Sequence, residues 1–234
     1  SLLYRAFYAL PLLKNSQGLY TNGVYGFLTM FNRVVAEQKP SHIVVAFDMS
    51  KQTFRNDVYD AYKANRSAPP DELQGQFAVL REVLSALGIV YVEQAGYEAD
   101  DIIGTLSRRA EEAEIPTVIV TGDGDSLQLV SPQVNVLMTR KGISDIELYD
   151  PEQVKKKWEV EPDKLIEIKG LMGDASDNIP GVPGVGPKTA VKLIKEYESL
   201  ENLYEHLHEV KGAKLVENLK KNRELAFTSR SLAT

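Results

Sequence analysis

Pro116-Thr117-Val118-Ile119-Val120-Thr121-Gly122-Asp123-Gly124-Asp125 is the stretch on which the fold turns. A proline opens it, a short apolar β-branched run follows, and glycine with aspartate closes it, the pattern of a buried strand. The same design stands upstream, where His42-Ile43-Val44-Val45-Ala46-Phe47 runs straight into Asp48. Around these two strands the apolar spacing becomes helical over Leu2 to Leu10, Asn22 to Glu37, Pro70 to Ala86 and Asp100 to Ala113, with a further short strand at Ile89 to Val92. Strands alternating with helices predict an α/β fold, a mostly parallel central sheet flanked by helices. Asp48 and Asp123 both fall just past a strand's carboxyl end, where open α/β sheets place their ligands.

Working outward from Asp123, acidic residues recur in separated groups: Asp48; Glu98 with Asp100 and Asp101; Asp123 with Asp125; Asp174 with Asp177. Read singly, each group has an ordinary explanation. Glu98 to Asp101 can cap the helix that follows, Asp123 to Asp125 can form an Asx turn, and Asp174 to Asp177 can occupy a loop after a helix. Read jointly, they are carboxylates from unrelated chain positions, several at strand or helix termini, and a convergence of that kind requires neutralising cations. Donors that are all oxygen suit Mg²⁺ or Mn²⁺ rather than Zn²⁺. Two such ions about 4 Å apart would bind the attacking and leaving oxygens of an in-line displacement at phosphorus.

The stretch from about 50 to 70 is polar and basic with interleaved aromatics: Thr53-Phe54-Arg55, Tyr59, Tyr62, Lys63 and Arg66 before the Ser67-Ala68-Pro69-Pro70 break. We expect an exposed, partly helical arch there. Lys63 and Arg66 share a face if helical and could hold a reacting phosphate, with Tyr62 or Tyr59 available to stack a displaced base. A solvated basic face is the plainer alternative. From Asp150 onward the pattern changes to short helices, Pro151 to Trp158, Pro162 to Leu171, Pro187 to Tyr197, Leu200 to Leu207 and Ala213 to Leu219. The expected division is therefore an α/β part over 1–150 and a helical subdomain over 151–234. Inside the latter, Gly184-Val185-Gly186-Pro187-Lys188-Thr189 reads as a tight hairpin feeding a helix. Gly184 and Gly186 would supply positive φ, and the amides of Lys188 and Thr189, with the Lys188 charge, could face a phosphate. Such a hairpin grips nucleic-acid backbone without reading bases.

The 234 residues and 43% hydrophobic content suffice for a proper core but leave no room for a polymerase as well. With no cysteine, disulfides and thiolate metal sites are excluded and a reducing compartment is favoured. No apolar stretch is long enough to span a bilayer. A net charge of -6 argues superficially against nucleic acid. If the acidic groups hold metal their charge is cancelled locally, and the substrate meets metal together with Arg5, Lys63, Arg66, Lys188 and Lys192.

Several of these segments together resemble one family. Ala46-Phe47-Asp48, Thr53-Phe54-Arg55, Tyr62-Lys63-Ala64-Asn65-Arg66, Tyr97-Glu98-Ala99-Asp100-Asp101, Thr121-Gly122-Asp123-Gly124-Asp125 and the run from Gly170-Leu171-Met172-Gly173-Asp174 through Asp177 to Ala190 are similar to the 5'-nuclease (5'-3' exonuclease) domains of bacterial DNA polymerases I, within the flap endonuclease family. The resemblance covers nearly the whole chain. It implies a 5'-3' exonuclease and structure-specific endonuclease that removes 5' flaps and RNA primers from branched or nicked DNA in replication and repair, in the bacterial cytoplasm. It implies a helical subdomain with a helix-hairpin-helix-like motif that also holds K⁺. By resemblance, a first metal site comprises Asp48, Glu98, Asp100 and Asp101, and a second comprises Asp123, Asp125, Asp174 and Asp177. Lys63 and Arg66 match arch residues near the scissile phosphate. Arg5 matches a basic residue near the site, and Arg55, Tyr62 and the hairpin residues are expected to meet DNA.

Departures from the family pattern are specific. Family members carry a strand ending in Asp-Gly directly before the segment matching Ser1-Leu2-Leu3-Tyr4-Arg5, so one first-site ligand and its strand are expected to precede this sequence. Gly124 stands where Arg is frequent, and Asn56-Asp57 where His-Glu is common. A polymerase domain in the same native chain is the expected partner. The competing functions are a non-catalytic module that binds branched DNA and a small-molecule phosphohydrolase; the latter has no use for a duplex-gripping hairpin.

Overall fold

The computed structural model describes residues 1–49, 52–141 and 145–234. Along the first half run α1 (Leu2–Ala9), α2 (Asn22–Gln38), β1 (Val44–Ala46), α3 (Phe54–Val58), α4 (Asp71–Ala86), β2 (Val90–Val92), α5 (Ala99–Glu112) and β3 (Thr117–Thr121). A 3-10 turn at Gly124–Leu129 leads to β4 (Val134–Lys141) and β5 (Asp145–Tyr149). Then follow α6 (Pro151–Trp158), α7 (Leu165–Met172), α8 (Pro187–Tyr197), α9 (Leu200–Glu205), α10 (Ala213–Lys221) and α11 (Arg223–Ala233). Two compact units result: Ser1–Lys51 with Ser67–Ser126 and Gln133–Leu148, and Gln52–Arg66 with Leu127–Pro132 and Tyr149–Thr234.

The first unit is the α/β part. β1 and β2 pair in parallel, Val44 opposite Val90 and Ala46 opposite Val92. β3 pairs in parallel with β4, Thr117 opposite Val134 and Thr121 opposite Met138, and β5 lies beyond β4. The strands therefore group as two small sheets. α5 packs on both β1 and β3, so one helix bridges the strands that end in Asp48 and Asp123. β4 was not anticipated from the sequence, although it buries Val134, Val136, Leu137 and Met138, because Asn135, Thr139 and Arg140 break up its apolar run.

Helix packing in this unit follows from spacing. α1 buries Leu3, Ala6 and Phe7, spaced by three and four residues from Leu3, and α2 buries Val24, Phe27 and Met30 at three-residue steps, each set making one apolar stripe. These stripes meet Leu73, Leu80 and Leu84 of α4 in one cluster with Phe47. Fully burying a leucine of this kind contributes about 2 kcal/mol. Gln76 is also buried and is satisfied, donating to Asn22 Oδ1 and accepting from Val24 N at 3.1 Å each. That pairing fixes α4 against α2 without leaving a polar orphan.

The second unit is helical. α7 packs on α8 and α11, and α8 on α9. Glu167 of α7 is buried, and Arg230 of α11 neutralises it at 2.9 Å. Arg230 also reaches Glu201 of α9 at 2.6 Å, so one guanidinium joins three helices.

The expected exposed arch is corrected in part. Its residues Ser50 and Lys51 lie outside the described residues, and from Gln52 to Arg66 it is counted with the helical unit. Arg55 is only 5% exposed and donates from Nε to the Leu232 carbonyl at 2.9 Å. Tyr62 is likewise 5% exposed, packed with Ile179, Leu232 and Ala233. The guanidinium is held from both sides, donating to the Leu232 and Thr234 carbonyls and lying between the Phe54 and Tyr62 rings. Lys63, Asn65 and Arg66 complete the segment, with Arg66 on the exposed side. Among the described residues no helix is long and apolar enough to cross a membrane.

Candidate active site and nucleic-acid interface

In the first unit the carboxylates sit on backbone termini. Asp48 follows β1 and accepts a 2.8 Å hydrogen bond from Ala99 N, the first residue of α5. Asp101 accepts from Glu98 N at 2.7 Å, closing a capping box with the residue that precedes the helix. Beyond β3, Asp123 N donates to Thr121 Oγ1 at 3.0 Å, and Asp123 Oδ1 accepts from Asp125 N at 3.1 Å. The ordinary roles, cap and Asx turn, are therefore present. A carboxylate oxygen that accepts one N–H keeps further acceptor capacity, so these bonds orient the acids without consuming them.

Arg5 has a definite place here. Its guanidinium donates to the carbonyls of Gly122 and Arg140, the latter at 3.1 Å, and so ties α1 to the ends of β3 and β4. Gly122 makes this possible, since a Cβ there would lie 2.0 Å from Arg5 Nε. The expected DNA contact is thus, in this structure, a clamp on the turn that carries Asp123. The sequence marks Gly122 only as the residue that closes the strand, and its contact with Arg5 is tertiary.

In the second unit, α7 ends at Gly173, whose φ of 72° lies in the left-handed region, and a Cβ there would strike the Ile179 carbonyl at 2.4 Å. Asp174 and Ile179 then exchange two backbone hydrogen bonds of 2.9 and 2.8 Å, closing the loop. Asp174 Oδ2 accepts from Lys169 Nζ at 2.7 Å, while Oδ1 accepts from Ser176 N at 2.8 Å and Ser176 Oγ at 2.6 Å. Burial pushes the Asp174 carboxyl up, but Lys169 and Ser176 outweigh it and hold the group below the usual carboxylate range.

Asp177, only 6% exposed, lies near the tip of that loop. It pairs with Arg66, has Lys63 Nζ at 3.5 Å and the Tyr62 hydroxyl at 3.5 Å, and its carbonyl accepts from Lys63 N at 2.9 Å. Lys63 takes a φ of 54° to do so. The two cations expected to meet a phosphate therefore share one carboxylate, an acid and two bases that the sequence placed far apart.

The hairpin between α7 and α8 is also present. Gly184 has a φ of 80°, as expected. Gly186 does not need positive φ: it caps α8 at φ -94°, which any residue adopts. Pro187 opens α8, leaving the amides of Lys188 and Thr189 in its first turn, and Lys188 is exposed. Val182 and Val185 anchor the turn from inside. Asn218 of α10 donates to the Pro183 carbonyl at 3.1 Å, a contribution that no motif announced.

Among the described residues, no three acidic or histidine side chains gather tightly enough to form a ready-made metal cage.

Two α/β and helical parts of this kind define a class. The family model described as 5'-3' exonuclease, N-terminal resolvase-like domain matches residues 1–159, and the one described as 5'-3' exonuclease, C-terminal SAM fold matches residues 160–234. The chain belongs to the 5'-3' exonuclease family. It is 51% identical over 233 residues to DNA polymerase I of Bacillus caldotenax and 49% identical over 234 residues to that of Bacillus subtilis, covering 100% of this chain in each case. It spans 27% of the length of each of these curated relatives. Among solved structures, bacteriophage T5 D15 protein co-crystallised with metal ions matches at a TM-score of 0.76 and 23% identity, over 89% of this chain and 80% of that one. The catalytic core of Rad2 in complex with a DNA substrate matches at 0.58 and 18%, over 99% and 72%. At these identities the structural matches speak for the fold.

Proposed function

We propose that the chain is a divalent-metal-dependent 5' nuclease that hydrolyses phosphodiester bonds in branched or nicked DNA, including 5' flaps and RNA-primed ends. The observation that carries this reading is the siting of acids at the ends of β1 and β3, with α5 packed on both strands, in a member of the 5'-3' exonuclease family. Among the structural relatives, T5 D15 was co-crystallised with metal ions and the Rad2 core was solved with a DNA substrate, which supports the same chemistry here.

The donor set fits a hard divalent cation, being all carboxylate in a chain without cysteine. Asp48, Glu98, Asp100 and Asp101 are proposed for one site, and Asp123, Asp125, Asp174 and Asp177 for a second; Mg²⁺ or Mn²⁺ is the proposed cofactor, with K⁺ at the hairpin. Bound metal would supply charge neutralisation and an activated water. The chain's own part is electrostatic and positional. Lys63 and Arg66, held by Asp177 here, would turn to the scissile phosphate, where cations help most as charge develops in the transition state. Gly184, Lys188 and Thr189 would grip duplex backbone, with a salt-dependent and sequence-independent contribution to affinity. A polymerase region in the same native polypeptide is the proposed partner, in keeping with the curated relatives.

A non-catalytic branched-DNA module is the second reading, favoured by the ion pairs that already engage Asp174 with Lys169 and Asp177 with Lys63 and Arg66. A titration of Mg²⁺ and Mn²⁺ against cleavage of flapped, nicked and single-stranded DNA separates them. Metal-dependent cleavage that prefers flapped over single-stranded DNA supports the nuclease; binding to flaps with no cleavage at any metal concentration supports the module.

A further inference from the structure

Lys169 belongs to none of the expected ligand or DNA-contact groups. It sits in the last turn of α7, where a lysine has an ordinary reason to be, since the helix dipole favours a cation there. An ordinary helix-end lysine is solvated. This side chain is only 12% exposed, and its partner Asp174 only 17%. The ammonium donates to one oxygen of Asp174, Oδ2, at 2.7 Å. Ser176 takes the other oxygen twice, through its amide at 2.8 Å and its hydroxyl at 2.6 Å. Both carboxylate oxygens are therefore fixed by three donors on a loop whose ends are already closed by the Asp174–Ile179 bridge. Asp177, three residues on, is engaged differently: its partners Lys63 and Arg66 come from a remote segment of chain.

We propose that Lys169 is a positioning residue of the nuclease site, which with Ser176 locks Asp174 in one orientation and cancels part of its charge, while Asp177 stays the donor that can exchange partners. The proposal rests on the nuclease reading above. Lys169 acts through Asp174 and does not touch substrate. Its ammonium also lowers the pull of the acidic loop on free cations, so the substrate-free protein binds metal less tightly than its carboxylates alone would. The rate benefits because the loop arrives with one acid already set, and small misplacements of a positioned group are costly.

The test uses the intact protein with Lys169→Met, Lys169→Arg and Asp125→Asn, each read in two ways: Mn²⁺ affinity by calorimetry without DNA, and single-turnover cleavage of a 5'-flap substrate at saturating Mn²⁺. Lys169→Met is expected to tighten Mn²⁺ binding by about threefold or more, since one neighbouring positive charge is lost, and to slow cleavage by about tenfold. Lys169→Arg should restore both toward the parent. If Lys169→Met leaves Mn²⁺ affinity unchanged, whether or not the rate falls, the proposal is overturned, because a simple packing defect would slow cleavage without touching the affinity. Should Lys169→Met fail to fold, Ser176→Ala serves instead: it removes one clamp and no charge, so it should slow cleavage by about threefold at unaltered Mn²⁺ affinity, and a parental rate overturns the proposal. Asp125→Asn is the control for the metal reading itself. Retained Mn²⁺ affinity in that variant refutes the metal reading whatever Lys169 does.

Discussion

Asp48 Oδ1 accepts the amide of Ala99 at 2.8 Å, so the acid just beyond β1 caps the first turn of the helix that Glu98 precedes and that carries Asp100 and Asp101. One carboxylate thereby serves the fold and stands beside the acids of the proposed first metal site. The two roles can be separated by experiment. Asp48→Asn keeps an acceptor and should change stability by less than about 0.5 kcal/mol, whereas Asp48→Ala removes the cap and should cost about 1 kcal/mol. Both should weaken Mn²⁺ binding, because both remove the charge. Thermal melts with metal calorimetry check this; a parental affinity in Asp48→Asn would remove Asp48 from the metal site.

Gly122 and Arg5 form a second dependent pair. Adding a Cβ at Gly122 places it 2.0 Å from Arg5 Nε, and neither the turn nor the clamp can absorb that without moving. Gly122→Ala should destabilise by about 1–3 kcal/mol and lower cleavage by disturbing the turn that holds Asp123 and Asp125. Arg5→Lys should reproduce part of the loss, since one ammonium does not match a planar fork that serves two carbonyls. Urea unfolding with single-turnover rates measures both, and a fully stable, fully active Gly122→Ala would show that the clamp is dispensable.

Much of this arrangement was legible in the sequence, for physical reasons. β3 and α8 announce themselves because a buried apolar run and a Pro-opened helix have strong local signatures, and Asp48 and Asp123 follow from strand ends. What could not be read was tertiary. Arg55 looks like an exposed basic residue until the α11 carbonyl it satisfies is known. Asp177 reads as a loop acid or a metal ligand, and its pairing with Lys63 and Arg66, more than a hundred residues earlier, has no local signature. β4 and α11 were missed because polar interruptions hide their periods, and Gly186 was given a left-handed role that its φ of -94° does not require.

Arg230 should be the most sensitive ionic residue of the helical unit. It neutralises buried Glu167 and reaches Glu201, whose carboxyl the Arg230 hydrogen bond holds below the usual range. Arg230→Ala leaves Glu167 buried without its cation and should cost about 3 kcal/mol. Adding Glu167→Gln should recover part of that loss, since it removes the stranded charge while keeping an acceptor for Leu200 N. Denaturant unfolding of the two single variants and the double variant measures the coupling; strictly additive losses would show that the pair contributes nothing beyond packing.

Tyr204 makes a prediction at alkaline pH. Burial pushes its phenol up to about 12, and its hydroxyl donates to the Leu219 carbonyl at 3.1 Å. A folded-state pKa above the unfolded value contributes stability that is complete below about pH 10 and is lost as pH rises through about 12. The parent protein should therefore lose up to about 2 kcal/mol more than Tyr204→Phe across that window. Melting both proteins in parallel cancels the titration of the other tyrosines and the lysines. Identical pH profiles would place the phenol in an environment like water.

The central claim is that this chain cleaves DNA with the acids beyond β3, and single-turnover cleavage of a 5'-labelled flap duplex at saturating Mg²⁺ tests it most directly. The comparison is between the parent protein and Asp125→Ala, with flap binding measured alongside by anisotropy. The account predicts Mg²⁺-dependent release of the flap as a short oligonucleotide by the parent, and a rate lower by about 10² or more in Asp125→Ala with binding nearly unchanged. Cleavage by Asp125→Ala at the parental rate, or parental cleavage that persists in excess chelator, would contradict it.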